Sequence, residues 1–125
     1  MLEGLAGAVL ASAPLRIGEI EYNDPVLVLG GDDWSLALEC PWHIEDGLGA
    51  VVVQWDDESV EDRAWDLIGT SVLAAEDASG GDRPATALRL SDGLRLVITP
   101  DTDLDPWVLQ LPPTTTIPSH VFVGP

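Results

Sequence analysis

Apolar residues occupy every second position on both sides of Ser91-Asp92-Gly93 in the run TALRLSDGLRLVIT, residues 86–99. Leu88 and Leu90 share one phase before the tripeptide, and Leu94, Leu96 and Ile98 hold a common phase after it. A period of two sends alternate side chains to opposite faces of a strand, and a Gly supplies the positive φ of a tight turn. The run therefore predicts a β-hairpin. The segment PVLVLGGDDWSLALE carries the same phrase, with Leu27 and Leu29 before Gly30-Gly31-Asp32-Asp33 and with Trp34, Leu36 and Leu38 after it. Read in this way, its turn is one residue longer than the later one.

The match extends upstream. Leu5-Ala6-Gly7 and the apolar stretch to Ala13 parallel Leu67-Ile68-Gly69 and the stretch Val72 to Ala75. The three blocks, Leu5 to Leu67, Leu27 to Leu88 and Trp34 to Leu94, are offset by 62, 61 and 60 residues. Each half then reaches a Pro-Trp pair, Pro41-Trp42 and Pro106-Trp107. These offsets predict an internal duplication with units of approximately 5–55 and 67–111.

Further strands fill in the frame. LRIGEIEY alternates on each side of Gly18, which reads as a bulge, and Asn23-Asp24-Pro25 reads as a turn. AVVVQW aligns Val51, Val53 and Trp55, WVLQL aligns Trp107, Leu109 and Leu111, and HVFVGP reads as an edge strand. LPPTTTIPS is a loop, because its prolines exclude a central strand or a helix. SVEDRAWDLIG breaks the period of two: Ser59 is placed to cap a helix with Asp62 three residues on, Val60, Ala64 and Leu67 share a helical face, and Gly69 can close it. The expected fold is mainly β, an α+β chain with one short helix at approximately 58–67. Two duplicated antiparallel β-meander units would share one core within a single domain, 1–125. Trp34, Trp55 and Trp107 fall on inward phases, which leaves Trp42 and Trp65 as the candidates for exposure.

Composition agrees with one folded domain: 125 residues, 46% of them hydrophobic. Charge adds a constraint. The 22 acids face 5 bases, all Arg, for a formal net charge of −17. Such a surface repels phosphate backbones and anionic lipid, so nucleic acid and membrane partners are disfavoured. The absence of Lys excludes a phosphate-loop lysine and a Schiff base. The excess of acids has two readings, a compositional bias expressed on a solvated surface or a surface shaped to meet a basic protein. No run reaches the roughly 18 apolar residues of a membrane span. LAGAVLASA resembles the apolar core of a secretory leader, but Glu3 replaces the expected positive charge and the run is short. With a single cysteine, Cys40, the sequence fits a reducing compartment, and a cytoplasmic location is expected.

Candidate chemistry is sparse. CPWHIEDG places Cys40 and His43 three residues apart, yet no nucleophile turn or oxyanion loop accompanies them, and a Cys at a strand end is ordinarily a small buried hydrophobe. Asp101, Asp103 and Asp105 have the spacing of a calcium loop but meet Pro106 and Pro112 where Gly and Glu are required. Two His and one Cys are too few for a closed zinc site. Gly30-Gly31 is followed by Asp32-Asp33, which would repel phosphate. No catalytic residue, metal site or cofactor is therefore expected. The densest feature is DDESVED, residues 56–62, with five acids in seven positions between Trp55 and Trp65. Acids are common in the first turn of a helix, where the dipole favours them. Flanked by aromatic anchors, they also suit the capture of a basic protein. Asp56, Asp57, Glu58, Glu61, Asp62 and Trp65 are the candidate partner-binding residues.

The Leu-x-Gly repeat with its apolar strand, the hairpin LRLSDGLRLVI and the later PWVLQL together resemble a group of small uncharacterised actinobacterial proteins. They are also similar to immunity-protein families of polymorphic toxin systems. The likeness covers most of residues 5–111 and rests on Gly turns and strand apolars, so no functional residue is carried over. It implies a non-catalytic role, the binding and blocking of a toxin domain. Two other classes remain open from the residues: a small-ligand protein or enzyme with a pocket near Cys40 and His43, and a structural subunit of a larger assembly.

Overall fold

A computed structural model of the chain describes residues 2–23, 26–78, 85–99, 107–111 and 120–123. Helix α1 (Leu2–Ser12) leads into β1 (Leu15–Arg16), β2 (Glu19–Asn23), β3 (Val26–Gly30), β4 (Ser35–Leu38), β5 (Trp42–Glu45) and β6 (Val51–Gln54). Helix α2 (Val60–Trp65) joins these to β7 (Ser71–Asp77), β8 (Thr86–Leu90), β9 (Arg95–Ile98), β10 (Trp107–Leu111) and β11 (His120–Val123). The fold is mainly β, as the alternation predicts. A six-stranded sheet runs β1-β7-β8-β9-β5-β6 and a five-stranded sheet runs β11-β10-β4-β3-β2. Every strand pairing in both is antiparallel.

Neither half of the chain builds a sheet by itself. The meander β2-β3-β4 lies in the five-stranded sheet, and the hairpin β5-β6 that follows crosses to the six-stranded one. The second half does the reverse: β7-β8-β9 lies in the six-stranded sheet, and β10-β11 crosses to the five-stranded one. The registers correspond. Leu29 lies opposite Leu36 as Leu88 lies opposite Leu96, and Ile20 opposite Leu29 as Ala75 lies opposite Leu88. At the exchanged junctions, Trp107 faces Leu38 where Trp42 faces Ile98. The helices follow suit, α1 packing on β7 and α2 on β2. A three-stranded meander has one apolar face that must be covered. Here Leu27, Leu29, Leu36 and Leu38 of one half bury against the same core as Leu88, Leu96 and Ile98 of the other.

Several expectations need correction. The run from Leu5 to Ser12 is helical, whereas its supposed counterpart is a turn followed by β7, so that upstream match fails and a second helix is present. The run is rich in Ala and Leu, strong helix formers, and carries no alternation. The turns also reverse in length. Gly31 N–H donates to Trp34 O (3.1 Å), leaving Asp32-Asp33 as a two-residue turn. Leu90 N–H donates to Leu94 O (2.9 Å), so Ser91-Asp92-Gly93 is a three-residue loop with Gly93 at φ +84°. Leu29 thus corresponds to Leu88, not Leu27 to Leu88. Gly18 is no bulge: the chain pairs with β7 through Leu15 and Arg16, and Ile17 N–H donates to Thr70 O (2.8 Å) before β2 enters the other sheet. Trp42 is buried (1% exposed) because β5 turns Trp42 and Ile44 inward. Asp24-Pro25, the acids 101, 103 and 105, Pro106 and most of the Pro-rich loop lie outside the described residues.

Candidate binding surface around α2

Strand β6 ends at Gln54 and the chain turns at once. Asp57 fixes that turn: its Oδ2 accepts from Gln54 N–H (2.8 Å), its own N–H donates to Gln54 O (3.1 Å), and its carbonyl accepts from Val60 N–H (3.1 Å). Ser59 does not act as the expected cap, since its side chain makes no capping hydrogen bond. The helix is held by packing, with Val60, Ala64 and Leu67 in the core on the face the sequence predicts. Arg63 folds back and donates from Nη2 to Val52 O (3.0 Å). Asp56, Glu58, Glu61 and Asp62 face solvent.

Two clefts flank α2. One, of about 370 Å³, brings Asp56, Asp57, Glu58 and Glu61 to the rings of Trp55 and Tyr22. The other, of about 570 Å³, lies on the outer face of the five-stranded sheet and is bounded by Glu19, Glu21, Val28, Ser35 and Trp65. Trp65 is half exposed. The six residues picked out from sequence are therefore not one patch. Four acids share the first cleft, Asp62 lines neither, and Trp65 belongs to the second. Sequence reasoning passed over Glu19, Glu21, Tyr22 and Ser35. The outward phase of Glu19 and Glu21 was visible in the alternation of β2, but their proximity to Trp65 depends on how α2 crosses that strand.

The six-stranded sheet carries a different cluster on its outer face. Arg95 donates from Nε to Glu76 Oε1 (2.9 Å) and from Nη1 to Glu45 Oε1 (3.2 Å), and His43 Nε2 donates to Glu45 Oε2 (2.8 Å). The hydrogen bond from His43 holds the Glu45 carboxyl below its usual range against the opposing effect of partial burial, with the charges of His43 and Arg95 adding to it. Arg89 lies directly opposite Arg95 across β8 and β9, and both line a cleft of about 310 Å³. No family model, curated protein or solved structure matches the chain.

Cys40 is buried in the core cluster, and the ring of His43 is engaged by Glu45; neither residue lines any of the three clefts. Among the described residues, no three His, Cys, Asp or Glu side chains are grouped to hold a metal ion. No described helix is long and apolar enough to cross a membrane.

Proposed function

We propose that the protein is a non-catalytic binding module that presents an acidic surface to a basic partner protein, as an immunity-type inhibitor would. One observation carries the reading. The two clefts beside α2 are bounded by six carboxylates, those of Glu19, Glu21, Asp56, Asp57, Glu58 and Glu61, and by aromatic rings, with no Arg among the described residues of either lining. Carboxylates of one sign steer a basic protein into encounter, and exposed aromatics supply the few contacts that hold it. Nucleic acid and anionic lipid are poor partners for a chain of net charge −17. A cytoplasmic setting suits a chain whose single cysteine lies buried in its core.

The test is retention from lysate of the source organism on the intact protein as bait, eluted by a salt ramp. A second bait carries Asp56→Asn, Glu58→Gln, Glu61→Gln and Asp62→Asn. Asp57 is kept because it pins the turn. A basic protein held by the first bait and lost from the second is the expected result. Equal retention on both, or no basic protein on either, overturns the reading.

A further inference from the structure

Five positions of the two outer sheet faces correspond in register, and on one face they already hold a bound guanidinium. In the six-stranded sheet, Arg95 sits opposite Arg89 on one side and Glu45 on the other, while Glu76 sits opposite Ala87 one row along. In the five-stranded sheet the corresponding places are held by Ser35, Gly30, Gln110, Glu21 and Val28. Glu21 thus stands where Glu76 stands. The side chain that would neutralise it is missing, because Ser35 occupies the place of Arg95. Among the described residues the Glu21 carboxylate receives only a long contact from Asn23 Nδ2 (3.4 Å). The space that Arg95 fills on one face is open on the other, as the cleft bounded by Glu21, Ser35 and Trp65.

We propose that this cleft is a seat for an arginine side chain of the partner, an inference that rests on the reading of a basic protein partner. The incoming guanidinium repeats what Arg95 does internally. It donates to the Glu21 carboxylate as Arg95 Nε donates to Glu76, and it crosses β3 as Arg95 crosses β8 to reach that glutamate. Trp65 adds a feature the internal copy lacks: a ring with half its surface exposed, against which a planar cation stacks. Glu19 on the same face of β2 adds negative charge. Arg is preferred to Lys because a guanidinium can fork to a carboxylate and lie flat on an indole together, whereas an ammonium is a compact, strongly hydrated point charge.

The full chain is titrated with N-acetyl-arginine methylamide, and with the lysine analogue for comparison, while nitrogen–proton NMR spectra are recorded. The Trp65 indole signal is assigned by its loss in Trp65→Phe. The arginine probe is expected to move the Trp65 indole and the Glu21 and Ser35 amides saturably, and more strongly than the lysine probe. Glu21→Gln should weaken it by about threefold, the scale of one exposed ion pair. Ser35→Arg should abolish binding, because the resident guanidinium then pairs with Glu21 as Arg95 does with Glu76. An unmoved Trp65 signal, equal response to lysine, or undiminished binding by Ser35→Arg overturns the proposal. Should Ser35→Arg lose its dispersed strand signals, the response of Glu21→Gln decides: undiminished binding overturns the proposal and weakened binding upholds it. On the partner itself, retention lost on neutralising the α2 acids but unaffected by Ser35→Arg overturns the seat and leaves the acidic-surface reading standing. Failure of that reading shows instead as retention indifferent to both.

Discussion

Trp42 and Trp107 hold the same place in the two sheets, one opposite Ile98 across β5 and β9, the other opposite Leu38 across β10 and β4. Each begins the hairpin that its half sends into the other sheet, and each is buried. Neither indole Nε1 meets an acceptor among the described residues. A buried donor without a partner costs free energy that its removal returns. Trp42→Phe and Trp107→Phe should therefore each cost under about 1 kcal/mol, whereas the Ala variants should cost roughly 3–5 kcal/mol through lost contact and cavity. Urea unfolding of the four variants measures this. A Phe cost near that of Ala would mean that the core uses the whole indole and that its unpaired N–H carries no cost for removal to return.

The exchange of hairpins explains what could and could not be read from the chain. Period-two alternation marks which residues of β3, β4, β8 and β9 face inward, and those assignments hold for Leu29, Leu36, Leu88 and Leu96. Alternation contains no information about which sheet a strand joins. Among the described residues the chain changes sheet in Glu39-Cys40-Pro41, where the alternation runs on unbroken from Leu36 to Ile44, and around Ile17-Gly18, where it shifts phase by one residue and reads equally as a bulge. Turn residues mislead in the same way, since Gly30 reads as part of a loop yet pairs with Ser35 as the last residue of β3. At the candidate surface the acids were evident as a run. The separation of Trp65 from them was not, because a helix rotates neighbours apart by about 100° per residue and carries Trp65 round to the β2 side.

Gly31 is required by a side chain and a backbone carbonyl together. The indole of Trp34 folds over it to donate from Nε1 to Arg16 O (2.9 Å), and a Cβ on Gly31 would lie against both of those atoms. Gly31→Ala must displace the indole and the Arg16 carbonyl, losing a part-buried hydrogen bond and disturbing the turn between β3 and β4. The expected loss is about 2–3 kcal/mol from overpacking together with an unpaired donor. Trp34→Phe should relieve the indole part of the clash and leave the Arg16 carbonyl part, so Gly31→Ala in that background should still cost stability, but less than in the wild type. Additive costs in a double-mutant cycle would remove the indole from the explanation.

Glu45 makes the fold sensitive to acid on one face. Its carboxyl ionises more readily when folded than its ordinary value of 4.5, chiefly through the His43 hydrogen bond. A carboxyl whose folded value is depressed contributes stability that is fully present above the unfolded value and lost as pH falls through the folded one. Unfolding free energy should therefore decline from about pH 5 downward, and Glu45→Gln should flatten part of that decline while lowering stability at neutral pH. Denaturant titrations of both proteins at a series of pH values give the two slopes. Identical slopes would show that other carboxylates govern the acid limb.

Association with a basic partner should separate into two kinetic parts. The acids at α2 act at a distance, and neutralising Asp56, Glu58, Glu61 and Asp62 should slow association by about tenfold at low salt with little change in dissociation. Trp65 acts only on contact: Trp65→Ala should leave association nearly unchanged and speed dissociation, because an exposed aromatic contributes once water has left it. Raising ionic strength should erase the difference between the wild type and the neutralised variant, since exposed charges are screened beyond about 8 Å at 0.15 M salt, while the Trp65 effect persists. Surface-plasmon kinetics across a salt series distinguish these. Should neutralisation instead act on dissociation and survive high salt, the acids would be contact residues in desolvated pairs, and the first cleft, with Trp55 and Tyr22, would replace Trp65 as the anchoring site.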